Sequence, residues 1–332
     1  MSLSRLEITP DAALRVRIAG VAARISGLSP RIRADMSALL RPFVVAEDTP
    51  PTPPDASAEP IQVDIALRPV GRRSDDHDDR ADHADAEGWE AWSDGVCLFR
   101  SDVYDRLLRR LEWEVVARSA PLAREWVIWH AAALSQSGRA ITLVGASGAG
   151  KSTLTVALMR RGWRPLADDL TLLDLRTRTL APFPRCFHVT SGNMPGAMPG
   201  AMPGSMPGAS AASDTPLIWP TPALPDYARP RAWGHAGDRP TWLVVVRRDT
   251  AQPTSLTPIT QAQAVGGLFA ATLHAPATAS AVGVAAEVVG ATAGCWELNN
   301  NDLETALDLL TTTLLGAAPD EMRPEHQMSA PA

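Results

Sequence analysis

No two of the three cysteines, Cys97, Cys186 and Cys295, stand close enough to make a C-x-x-C pair. That spacing argues against both a disulfide framework and a zinc knuckle, and it fits a reducing compartment. A basic excess is missing as well. The formal net charge is −6 and both signs are mixed along the 332 residues, so the electrostatic footprint of a nucleic-acid binder is absent. No uncharged apolar run approaches the length a bilayer requires, and Met1-Ser-Leu-Ser-Arg-Leu-Glu7 does not lead from a basic start into an apolar core. The expectation is a cytoplasmic protein with neither nucleic acid nor membrane as partner.

What is present centres on Gly145-Ala-Ser-Gly-Ala-Gly-Lys-Ser152, a match to G-x-x-x-x-G-K-[ST]. It lies between a strand-like run, Ala140–Val144, and a helix-like run from about Lys151 to Arg161, the context that such a loop needs. Gly145, Gly148 and Gly150 permit a tight turn whose N–H groups face phosphate oxygens at a helix N-terminus. Lys151 is expected to reach the β- and γ-phosphates, and the Ser152 hydroxyl to take one Mg2+ position. The predicted nucleotide-binding set is Gly145, Ala146, Ser147, Gly148, Ala149, Gly150, Lys151, Ser152 and Thr153, with ATP and Mg2+ as the expected ligands.

Around the loop, Trp126–Leu134 reads as a buried strand and Ser135–Gly138 as a turn, a hairpin that sets His130 beside the loop strand. Spacing alone favours the plainer reading of His130, a core histidine satisfied by backbone. Gly162 suits a left-handed helix end. Arg164–Asp169 reads as a short strand ending in paired acids, able to hold Mg2+ and accept a proton or simply to form a turn.

Further out, Ser29 and Pro30 open a short helix through Leu40, Gln62–Arg68 is a strand, and Ser101–Leu111 is a capped amphipathic helix. A stiff Pro-rich linker covers 48–55. The acidic, His-bearing run 72–87 reads as a solvated loop rather than a metal site. Residues 191–240, with Met-Pro-Gly repeated from Met194, read as a mobile insertion. Thr241–Val246 is a buried strand ending in Arg247-Arg248-Asp249, Thr260–Gln263 opens a helix toward Leu273, and Asn301 caps a final helix. The expected organisation is an N-terminal α+β module over 1–115, a nucleotide-binding domain over 116–318, and a disordered tail over 319–332.

His130, the glycine-rich loop and Arg161-Gly-Trp-Arg-Pro-Leu-Ala-Asp-Asp169 stand at a spacing that resembles the catalytic domain of HPr kinase/phosphorylase, over about 50 residues. Residue 146 is alanine where that family usually has aspartate, and no RG-x-G-I-like segment follows. The chain is therefore more similar to the HPr kinase-related proteins, some of which look like serine kinases of lasso-type precursor peptides. The resemblance implies an α/β P-loop kinase fold of the HPr kinase/PEP carboxykinase-like type. It implies Asp168 as general base, Asp169 with Ser152 as Mg2+ ligands, and His130 and Lys151 near the transferring phosphate. Arg185, Arg247 and Arg248 are candidate phosphate or substrate contacts. The expected reaction is transfer of the γ-phosphate of ATP to a serine of a peptide or small protein. A small-molecule hydroxyl acceptor and a non-catalytic nucleotide-gated binder are the alternatives, and self-association is left open.

Overall fold

Period-two burial along short β-branched runs decides most of this architecture. A computed structural model describes residues 13–45, 62–70, 88–188, 218–221, 224–230 and 232–316. The chain divides into two units, 1–124 with 221–224, and 125–220 with 225–332. The acidic run 72–87, the Pro-rich linker 48–55, the Met-Pro-Gly repeats and the tail 319–332 lie outside the described residues.

In the first unit, strands β1 (Leu14–Ile18), β2 (Val21–Ser26), β3 (Gln62–Val70), β4 (Gly88–Ser93) and β5 (Val96–Ser101) form one sheet in sequence order. Only β2 and β3 run parallel. Val16, Ile18, Val21, Ala23, Ile25, Val63, Ile65 and Leu67 alternate into its core. Helix α1 (Pro30–Leu39) starts as expected, the Ser29 hydroxyl accepting from the Ile32 N–H. Helix α2 (Tyr104–Ser119) corrects the reading of Ser101–Leu111: it begins three residues later and runs eight further, and Ser101 instead bonds the Val103 backbone. Two of the N-terminal arginines are engaged. Arg24 pairs with Asp64, its partner across β2 and β3, and Arg31 lies over the Tyr104 ring.

The second unit is a mixed α/β layer structure. Strand β6 (Trp126–Gln136) and strand β7 (Arg139–Val144) form an antiparallel hairpin, closed by Ser137 and Gly138, both at positive φ, as a two-residue turn demands. Helix α3 (Lys151–Arg160) follows and ends before Gly162, whose φ of 92° supplies the left-handed residue. Then come β8 (Arg164–Ala167), β9 (Leu170–Asp174), β10 (Leu180–Ala181), β11 (Phe187–His188), β12 (Ile218–Thr221), β13 (Leu224–Pro230) and β14 (Arg239–Arg247). The remaining elements are β15 (Ser255–Pro258), α4 (Gln261–Ala270), β16 (Thr272–His274), α5 (Ala281–Ala291), β17 (Gly294–Asn299) and α6 (Leu303–Gly316).

The main sheet has the order β10-β9-β6-β7-β14-β17-β15, with β8 and β16 also paired to β6. Strands β7, β14 and β17 are mutually parallel. Alternate residues serve opposite faces. Ile141, Leu143, Val244, Val246 and Leu298 meet Leu154 and Leu158 of α3 and Leu307, Leu310 and Leu314 of α6. Ala140, Val144 and Leu243 meet Leu268 of α4 and Val284, Ala285 and Val288 of α5. Helices thus cover both faces, as expected where parallel strands are buried on both sides.

Three readings change here. Helix α4 has the predicted capping box at Thr260 and Gln263 but stops at Ala270, because Thr272–His274 pairs with β6. Helix α6 is capped by Asp302, whose carboxylate accepts from the Thr305 N–H, not by Asn301. The span 191–240 is not all insertion: Gly234 packs against Leu166, β13 pairs with β11, and β14 already begins at Arg239.

Candidate functional site

Sheet direction brings the predicted residues together. Strand β8 is antiparallel to β6, which is antiparallel to β7. Strands β7 and β8 therefore point the same way, and both the glycine-rich loop and Asp168-Asp169 leave the sheet at one edge. His130 reaches that edge too, since its neighbour Ala131 pairs with Val144, the last residue of β7. The carboxyl ends of β7, β14 and β17 open at the same edge, where open α/β sheets bind ligands.

The loop lies tight against β14. A Cβ added at Gly145 would stand 2.3 Å from the Val246 carbonyl oxygen, so backbone approach itself requires glycine. Gly148 and Gly150 have φ of 81° and 96°, the left-handed region. Gly150 stands immediately before α3, so the loop N–H groups meet the positive end of the helix. Lys151 folds over the loop, its ammonium donating to the carbonyls of Gly145 at 2.8 Å and Ala146 at 3.2 Å. Burial lowers its pKa, opposed by the charges of Asp169 and Asp168.

The two acids live in different surroundings. Asp168 is 9% exposed, its Oδ1 has no hydrogen-bond partner among the described residues, and its carboxylate shares a hydrogen bond with Ser152. Burial pushes its carboxyl up to about 7, with Asp169 adding in the same direction against the Ser152 bond and the positive charges of Arg185 and Lys151. Asp169 is only half-buried and held from two sides, by His130 Nε2 at 3.1 Å and Arg185 Nη1 at 3.2 Å. The His130 backbone N–H also donates to the Ala271 carbonyl at 2.7 Å. Its imidazole, however, meets the acidic pair and is 34% exposed, so His130 is not a core histidine with a backbone-satisfied ring.

The other predicted arginines divide. Arg185 is in the site, Arg247 pairs with Glu297 at 2.8 Å, and Arg248 is exposed. Arg161 of the Arg161–Asp169 segment turns away to bind Glu304 and Asp308 of α6 at 3.1 and 2.7 Å. Its position is structural, tying α3 to α6. One neighbour was not expected: Asn300, after β17, is 8% exposed, and its Nδ2 would lie 2.6 Å from a Cβ on Gly150. Nothing local in Asn299-Asn-Asn-Asp302 marks which asparagine faces the loop.

Among the described residues no group of three or more His, Cys, Asp or Glu side chains converges into a self-sufficient metal site. The Ser152 hydroxyl and the carboxylate of Asp169 are hard oxygen donors, and the unpartnered Oδ1 of Asp168 lies beside them. That set suits Mg2+ completed by phosphate oxygens and water, the usual arrangement in phosphoryl-transfer sites. No protein-family model matches the chain, and no curated protein matches it. No helix among the described residues is long and apolar enough to cross a membrane.

Proposed function

We propose that this chain is an ATP-dependent serine kinase of the HPr kinase-like type, acting on a peptide or small protein. The observation that carries the reading is the buried Asp168, with a carboxyl near 7 and one unpartnered oxygen, set beside a glycine-rich loop and its lysine. A carboxylate at the phosphate end of a nucleotide site, poised near neutral pH, is placed to serve as a general base. Binding phosphate alone does not require it.

In this reading the loop N–H groups and Lys151 hold the triphosphate, with Lys151 exchanging its loop carbonyls for phosphate oxygens. Bound Mg2+ would supply charge neutralisation on the phosphate oxygens, held by Ser152 and Asp169. For Asp169 this means leaving one of its present partners, and Arg185, now paired with it, would offer positive charge to the transferring group. Asp168 takes the proton from the serine hydroxyl. The serine oxygen forms its bond to the γ-phosphorus as the bond to the ADP oxygen breaks, and ADP leaves with that electron pair. His130 keeps Asp169 oriented and adds a hydrogen-bond donor at the same edge. Alignment and charge compensation are most of what phosphoryl transfer asks of a protein.

The acceptor class is tested by offering γ-labelled ATP and Mg2+ with serine-containing peptides encoded beside the gene, and separately with free serine. Label on a peptide serine, found by mass spectrometry, is the expected result. Label only on the free amino acid would replace the peptide acceptor with a small molecule. ATP binding with no transfer to any acceptor would leave a nucleotide-gated binder.

A further inference from the structure

Strand alternation gives the five-stranded sheet of the first unit two unlike faces. Val16, Ile25, Ile65 and Ala91 point into the core, on the side where Trp89 meets Tyr104 and Phe99 meets Arg110, both residues of α2. Helix α2 therefore covers that face. Register sets the composition of the other. Arg15 pairs with Arg24, and Arg24 with Asp64, in one row across β1, β2 and β3. Arg68 pairs with Glu90, and Glu90 with Arg100, in a second row across β3, β4 and β5. Arg17, two residues along β1 from Arg15, and Trp92, two along β4 from Glu90, share the same outward side. All of these side chains are exposed or half-buried.

Five arginines thus share one surface with two acids, in a chain whose net charge is −6. Both acids are already engaged. Arg24 pairs with Asp64, and Arg100 with Glu90 at 2.7 Å, while Glu90 also accepts from the Trp92 indole N–H at 3.0 Å. Arg68 lies over the Trp92 ring at 5.0 Å. Arg15, Arg17 and Arg68 are left with no acidic partner among the described residues. Arg15 also stands directly opposite Arg24, a like-charged cross-strand pair that costs stability until an anion lies over it. Asp64 supplies that anion to Arg24 alone.

We propose that this outward face binds an acidic peptide segment in extended conformation. Acids at alternate positions of an extended chain stand about 7 Å apart, the separation of Arg15 and Arg17 along β1, and each guanidinium offers a carboxylate two parallel donors. The same charges fit nucleic acid poorly. Phosphates follow one another without a gap, whereas Asp64 and Glu90 interrupt the face, and the Trp92 ring already carries Arg68 and offers no free platform to a base. A net charge of −6 also repels a long polyanion. A peptide with spaced carboxylates meets the three unpaired arginines and avoids both acids. The proposal concerns the first unit alone and stands apart from the kinase reading.

Fluorescence anisotropy of a short labelled peptide of alternating glutamate and threonine tests this on the full chain. An alternating lysine–threonine peptide and a single-stranded RNA of similar length are the comparators. Wild type is set against the triple variant Arg15→Gln, Arg17→Gln, Arg68→Gln and against each single variant. A second triple variant, Arg160→Gln, Arg176→Gln, Arg239→Gln, removes the same charge from exposed positions of the second unit. Thermal melts establish that each protein is folded. The wild type should bind the acidic peptide, more tightly at low salt, and the lysine peptide not at all. The first triple variant should bind about tenfold more weakly, each single variant about twofold, and the second triple variant as the wild type does. No binding by the wild type, unaltered binding by the first triple variant, equal loss in both triple variants, or RNA held more tightly than the peptide would each overturn the proposal. So would binding that appears only when Asp75, Asp76, Asp78 and Asp79 are replaced by asparagine, which would assign the face to this chain's own acidic run.

Discussion

Replacing Asp168 by asparagine keeps the shape of the side chain and removes its charge, so it isolates what burial does to that carboxyl. In the folded chain its pKa is about 7 against an ordinary 3.8. The folded pKa is raised, so the protonated form favours folding. The contribution is fully present below about pH 4 and is lost as pH rises to about 7, where the folded state must hold a buried charge. A shift of about three units corresponds to about 4 kcal/mol over the whole range, of which about 3 kcal/mol falls between pH 5 and pH 8. Asparagine has no such dependence. Urea unfolding of the nucleotide-free protein at pH 5, 6, 7 and 8 gives the stability of each form. The wild type minus variant difference should move by about 3 kcal/mol in favour of the variant across that range. Taking the difference cancels groups that shift the other way, such as Asp174, whose carboxyl is lowered by hydrogen bonds from Thr177 and Arg176 against its desolvation. A difference that stays flat, or runs in the opposite sense, would refute the argument that Asp168 is buried with a raised pKa.

Other outcomes follow from the same geometry. Lys151→Ala should weaken ATP binding roughly 100-fold by calorimetry while the melting temperature changes little, because the ammonium bonds only loop carbonyls in the absence of ligand. Gly145→Ala should destabilise the fold by on the order of 2 kcal/mol or more, roughly 5 °C in Tm, since its Cβ would strike the Val246 carbonyl. Arg185→Ala should lower kcat at least about tenfold with ATP affinity within a few-fold, if the arginine acts on charge developing during transfer. Glu287→Gln breaks the pair with Arg178 on a solvated surface and should change stability by less than about 1 kcal/mol in the same unfolding assay.

The parts legible in the sequence were those with local signatures. The β6–β7 hairpin follows from an apolar run broken at Ser137-Gly138, the start of α1 from Ser29-Pro30, and the start of α4 from its capping box, each settled within a few residues. The meeting of His130, the glycine-rich loop and the acidic pair could be suspected from spacing, but its physical cause is strand direction, which a string does not display. What escaped was set at long range. Thr272–His274 continues the apolar character of α4 yet leaves the helix to pair with β6, because that strand offers an open ladder. Asn300 reaches the loop only through the order β7-β14-β17, which carries it to Gly150 across 150 residues of sequence. Asn301 and Asp302 are both acceptable caps by type, but the Asn301 amide donates to the Asp249 and Gln252 carbonyls, and it is Asp302 that accepts from the Thr305 N–H.

The central claim is that this edge of the sheet moves a phosphoryl group and that Asp168 takes the proton. The direct measurement is single-turnover transfer of labelled γ-phosphate from ATP with Mg2+ to a serine peptide, comparing wild type with Asp168→Asn and measuring ATP affinity for both. Phosphoserine formed by the wild type and reduced at least about 100-fold in the variant, with ATP binding retained, is the predicted result. Equal transfer by both proteins would contradict the assignment of the base, and tight ATP binding by both without phosphoserine on any peptide would contradict the kinase itself.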